Sequence, residues 1–110
     1  MNVATTAKYQ LQINPLVIKV DLLELPEDLQ SDFNSLIKPS LQVNPATGEP
    51  FDCHKLKGDL QGHHALEIFY GGEAYRLVYR IYEKPAPKRV KILSFGLHDP
   101  AYEKAKQRKG

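Results

Sequence analysis

From Lys8 to Ile13 the chain alternates, with Tyr9, Leu11 and Ile13 set against Lys8, Gln10 and Gln12. A period of two predicts a half-buried strand. Asn14 and Pro15 then supply a cap and a first-turn proline for a short helix. That helix, LVIKVDLLEL (16–25), carries Leu16, Val20 and Leu23 at helical spacing. Pro26, with Glu27 and Asp28 behind it, starts a second helix with acidic residues in its first turn. Leu29, Phe33, Leu36 and Ile37 form its expected buried stripe. Pro39 is expected to end or kink it, and Asn44-Pro45, Thr47-Gly48 and Glu49-Pro50 make a polar loop.

The second half has the period of strands. His54–Leu56 predicts a short one, closed by Lys57-Gly58-Asp59. Ala65–Tyr70 and Tyr75–Tyr82 flank Gly71-Gly72 and predict a hairpin. Pro85-Ala86-Pro87 turns the chain into a further strand, Arg89–Phe95. Asp99 then reads as the cap of a last helix, with Pro100 at its first position and an end near Arg108. The order predicts an α+β fold: an antiparallel sheet of about four strands, an N-terminal helical pair packed on it and a short C-terminal helix. With 110 residues and no repeat or low-complexity linker, one domain over 1–110 is expected.

Composition narrows the class. The 42% hydrophobic and 25% charged residues are ordinary for a globular protein. No apolar run approaches the roughly 20 residues of a membrane span. MNVATTAKYQ lacks the basic-then-apolar order of a secretory signal, and Cys53 is the single cysteine. One cysteine excludes an intramolecular disulfide, and a cytoplasmic location is expected.

Charge adds an asymmetry. The overall balance is +2, yet residues 1–53 carry −4 and residues 54–110 carry +6 together with all four histidines. Such a division fits a polyanion-facing half beside an acidic scaffold. It equally fits a solvated basic tail, because Lys104, Lys106, Arg108 and Lys109 crowd the last seven residues.

Several words in this order resemble the RelE/ParE toxin superfamily. They are LQVNP (41–45) closing the helical pair, HKLKGDLQG (54–62), the aromatic-arginine strand YRLVYRI (75–81) and GLHDPAY (96–102). The resemblance covers nearly the whole chain and implies a RelE-like fold. It implies the toxin of a type II toxin–antitoxin pair, held inactive by a cognate antitoxin. RelE-like members cut messenger RNA on the ribosome, whereas ParE-like members share the fold and poison DNA gyrase. The fold alone does not choose between these targets.

Metal-free RNA cleavage needs a base for the 2′-OH, cations around the phosphorane and an acid for the leaving 5′ oxygen. Histidine titrates near working pH, and arginine's planar fork grips phosphate with two bonds. The resemblance places Arg76 as the transition-state arginine, His98 as general acid or nearby cation, and Tyr102 as the catalytic or base-stacking tyrosine. It places His54 where the YoeB-like branch keeps a carboxylate base. Alternation puts Arg76, Val78 and Arg80 on one strand face, with the two arginines roughly 13 Å apart. Arg80 is therefore a second contact with RNA or antitoxin. Lys55 and Lys57 are expected to touch RNA backbone or the ribosome, and His63 or His64 to supply what strand lysines do elsewhere in the family.

Each assignment has a plainer competitor. Arg76 could pair with a surface carboxylate such as Glu67 or Glu73, His98 could line a helix entry, and Tyr102 could pack on the core. HHALEIFY (63–70) also departs from the family, since RelE-like ribonucleases carry basic residues there. No Cys-x-x-Cys or His-x-x-x-His spacing supports a metal site, and no cofactor is expected. Three readings stay open: a ribosome-dependent endoribonuclease, a gyrase poison, and a toxin that only binds its antitoxin.

Overall fold

The computed structural model describes residues 8–109. From Val17 to Leu41 the chain buries one residue in every four: Val17, Asp21, Leu25, Leu29, Phe33, Ile37 and Leu41. An α-helix has 3.6 residues per turn, so a four-residue repeat drifts by about 40° at each step. Two wide turns of π type, Val17–Asp21 and Phe33–Ile37, advance less per residue and take up that drift. The buried line therefore differs from the expected stripe, and Leu16, Leu23 and Leu36 are exposed. Around the second wide turn run α1 (Glu27–Asp32) and α2 (Lys38–Val43). Pro39 does not end the helix. It sits in the first turn of α2, directly after the wide turn, where its missing N–H costs little.

The sheet has five strands: β1 (Gln10–Ile13), β2 (Asp52–Lys55), β3 (His64–Tyr70), β4 (Glu73–Tyr82) and β5 (Arg89–Leu97), in the order β1-β5-β4-β3-β2. It is not purely antiparallel, because edge strand β1 runs parallel to β5. The Gly71-Gly72 turn closes the predicted hairpin, and both glycines have the positive φ that a side chain would resist. Between Val78 and Tyr79 the register slips: Val78 faces Ser94 while Tyr79 faces Ile92. Leu93 is thus the extra residue of a bulge.

Each sheet face is covered. The helical segment packs on Leu66, Ile68, Leu77, Tyr79, Val90, Ile92 and Phe95. On the other face, α3 (His98–Arg108) lies over Ala65, Val78 and Leu93. Ala101 and Ala105 allow that close approach, and the Ser94 hydroxyl donates to the Ala101 carbonyl at 2.7 Å. The helix begins at His98 with Leu97 at the cap position, so Asp99 lies inside the first turn rather than capping it.

A buried carboxylate ties these layers together. Asp21 accepts both guanidinium nitrogens of Arg108 at 2.7 and 3.0 Å, the Phe95 N–H at 3.0 Å and Lys104 Nζ at 3.2 Å. Burial alone would raise its pKa, but these donors outweigh burial and hold the carboxyl below its ordinary value. Lys104 and Arg108 are therefore structural and do not belong to a solvated tail.

Tyr79 forms a second buried tie, donating to the Pro45 carbonyl at 2.5 Å and lying 3.1 Å from Cys53 Sγ. Burial first, then Cys53, push its phenol well above the usual range, so it stays a donor. Tyr79→Phe leaves a buried carbonyl without its partner and is expected to cost about 1–3 kcal/mol in denaturant unfolding. An unchanged midpoint would mean that this bond contributes nothing.

Candidate active site

Three strands and one helix build a cluster around Arg76 on the face that carries α3. The two-residue turn sets Glu67 directly opposite Arg76 across β3 and β4. Arg76 Nη2 donates to Glu67 Oε2 at 3.0 Å, and Nη1 donates to the Tyr102 hydroxyl at 2.6 Å. The guanidinium carbon also lies 5.8 Å from the Tyr102 ring centre. From β2, His54 Nε2 approaches the other Glu67 oxygen at 3.1 Å. His98, one turn before Tyr102 on α3, sets its ring 4.6 Å from the tyrosine ring at 52°. Its Nδ1 lies 2.7 Å from Asp99 Oδ1.

The result is a connected line: His54, Glu67, Arg76, Tyr102, His98. Four of these residues were nominated from the sequence, and the structure brings them together. Glu67 is the fifth, and it was considered only as a partner that would neutralise Arg76. The pairing is real, and it coexists with the tyrosine contact. The register of a two-residue hairpin about Gly71-Gly72 was the available signal, since it requires positions 67 and 76 to face each other.

Electrostatics give the line a direction. The His54 bond is the largest influence on the Glu67 carboxyl; burial opposes it, Arg76 adds to it, and the pKa settles below the ordinary value. An ionised Glu67 only accepts, so His54 Nε2 carries the proton in that bond. In a neutral imidazole this leaves Nδ1 with the free lone pair, a base oriented by a carboxylate. Both His54 and His98 have side chains 46% exposed, whereas Arg76 is 12% exposed. Solvent therefore reaches the histidines at both ends while the guanidinium is held between them. Arg76 Nε is buried without a partner.

The remaining nominated residues lie elsewhere. Lys55, Lys57, His63 and His64 line a separate surface cleft of about 640 Å³ with Leu56, Gln61 and Gly62. His63 is only 5% exposed, with Nδ1 3.3 Å from the Gln61 carbonyl. His64 stacks on Tyr79, 5.6 Å between ring centres, on the face opposite Arg76. Burial is the first cause lowering both histidine pKa values, with Arg80 and Lys109 adding to it at His63 and Lys55 at His64. Neither histidine takes the place of the missing strand lysines beside Arg76. Arg80 is exposed, farther along β4. Among the described residues no three His, Cys, Asp or Glu side chains converge as metal ligands, and no helix is long and apolar enough to cross a membrane.

No protein-family model and no curated protein matches this chain. Solved structures do match its architecture. The toxin RelE from E. coli, as a mutant in the free state, superimposes with a TM-score of 0.59 at 22% identity, covering 94% of this chain and 98% of that one. A YoeB/ParE toxin from Agrobacterium tumefaciens gives 0.56 at 21% identity, covering 81% of this chain and 98% of that one. The fold is that of the RelE/ParE toxins.

Proposed function

We propose that this chain is the toxin of a type II toxin–antitoxin pair and a metal-independent endoribonuclease acting on messenger RNA at the ribosome. The observation that carries the reading is the continuous contact line joining a carboxylate-oriented histidine, an arginine, a tyrosine and a second histidine. Those are the groups that phosphodiester transesterification requires. His54 Nδ1 takes the 2′-OH proton as the 2′ oxygen attacks phosphorus. Arg76 leaves one of its two partners and donates to the non-bridging oxygens of the phosphorane. The bond to the 5′ oxygen breaks, and a protonated His98 supplies the proton to that leaving oxygen. Tyr102 holds Arg76 in place and offers an aromatic face to an unstacked base. The products are a 2′,3′-cyclic phosphate and a 5′-hydroxyl end. Lys55, Lys57 and Arg80 serve as backbone contacts, and the partners are the ribosome, its messenger and a cognate antitoxin.

Glu67 favours a second reading. It neutralises Arg76 where related ribonucleases carry cations, which suits a gyrase poison that needs a recognition surface and no acid–base chemistry. Brief expression separates the two. The ribonuclease reading expects truncated messenger RNA before any DNA-damage response. Intact transcripts with an early damage response would replace it with the gyrase reading.

A further inference from the structure

At the far end of the α3 face, beyond the bulge, three strands set six polar side chains in two rows. The register places Gln10, Arg89 and Tyr82 side by side, and next to them Gln12, Lys91 and Arg80. Strand spacing and side-chain period make this block about 10 Å wide and 7 Å tall. Gln10, Gln12 and Arg80 are exposed, and the other three are half-buried. Tyr82 lies between two guanidinium groups, 5.2 Å from Arg80 and 4.5 Å from Arg89 measured from its ring centre.

The block holds three cations and no carboxylate. Among the described residues none of Arg80, Arg89 and Lys91 makes a salt bridge. Arg80 and Lys91 face each other directly, an arrangement that destabilises a sheet. A merely solvated face would relieve that repulsion by placing an acid nearby, as Glu83 does for Lys88 in the following turn. Packing does not explain the rows either, since neither belongs to a hydrophobic cluster. Fixed, unneutralised cations flanked by amide donors and braced on an aromatic ring are suited to a run of phosphates.

We infer that Gln10, Gln12, Arg80, Tyr82, Arg89 and Lys91 form a docking surface for the phosphate backbone of single-stranded RNA, separate from the Arg76 cluster. Tyr82 acts as the brace that fixes the two arginines, and the amides supply uncharged donors between them. The inference rests on the ribonuclease reading for its choice of RNA as ligand, but on different residues and a different measurement.

The test uses the purified full chain without ribosomes and a labelled 12-nucleotide oligouridylate, with affinity followed across a potassium chloride series. Three phosphate contacts at this surface contribute about −2 to the slope of log affinity against log salt. The double variant Arg80→Gln with Lys91→Gln should lose about 1.4 from that slope, with a thermal midpoint no lower than the wild type's. Lys19→Gln, which removes an exposed cation on the helical arm outside the block, should keep the full slope. Equal affinity and slope in the double variant and the wild type would overturn the inference. Tighter binding of a DNA duplex of the same length than of the RNA would overturn it as well. Loss of RNA binding in the double variant, alongside intact transcripts in arrested cells, would uphold the surface and reject the nuclease reading.

Discussion

Asp21→Ala is expected to cost about 3–5 kcal/mol, the usual loss when one partner of a buried ion pair is removed. The side chain is 0% exposed and Arg108 is 8% exposed, so the substitution leaves a guanidinium out of water without its partner. It also removes the acceptor for Phe95 N–H and one of two acceptors for Lys104. The helical arm, β5 and α3 all meet at this carboxylate, so the loss should appear as one cooperative drop. For a domain of this size the thermal midpoint should fall by on the order of 15 °C. A midpoint within a degree or two of the wild type would show that the three layers hold together without it. The same group sets a pH dependence. Its folded pKa lies below the unfolded value near 3.9, so the unfolded chain binds more protons between the two values. Its stabilisation is complete above about pH 4 and is lost as pH falls through the folded pKa. Asp21→Asn should therefore start less stable and lose less on acidification, which acid titration of the unfolding midpoint reads directly.

Arg76→Ala is expected to lower the cleavage rate by about 100- to 1,000-fold, the range for removing one charge-stabilising donor at a transition state. Arg76→Lys should recover little, because an ammonium keeps the charge but cannot bridge Glu67 and Tyr102 as a fork does. Tyr102→Phe keeps the ring beside Arg76 and His98 while deleting the 2.6 Å hydrogen bond. Its loss should be smaller, on the order of 10-fold. None of the three changes touches the Asp21 hub or the core line from Val17 to Leu41, so the unfolding midpoints should stay close to the wild type's. Growth arrest undiminished by Arg76→Ala would remove Arg76 from the chemistry.

The parts of this molecule legible in the sequence were those set by local rules. The Gly71-Gly72 hairpin, the strand holding Arg76 and the helix holding Tyr102 follow from turn residues and period, and strand order did the rest. What escaped was non-local. Asp21 reads as the polar side of an amphipathic helix, because a 3.6-residue period places it away from Leu16, Val20 and Leu23. Only the wide turn at Val17–Asp21 rotates it inward, to donors 74 to 87 residues away. The parallel pairing of β1 with β5 is likewise a long-range event, and the rows holding Arg80 and Lys91 depend on it. Glu67 was legible as a carboxylate partner of Arg76, but its contact with His54 depends on the non-local pairing of β2 with β3. Arg108 fitted a solvated tail as well as a polyanion-facing half, because nothing local reveals its buried partner.

The central claim is that Arg76, held between Glu67 and Tyr102, serves RNA cleavage. Its most direct test is primer extension on a defined messenger programmed into purified ribosomes, with added wild-type chain or the Arg76→Ala variant. A new messenger end within the codon in the A site is expected with the wild type, and full-length messenger with the variant. Full-length messenger with both, or the same cut from both, would contradict it.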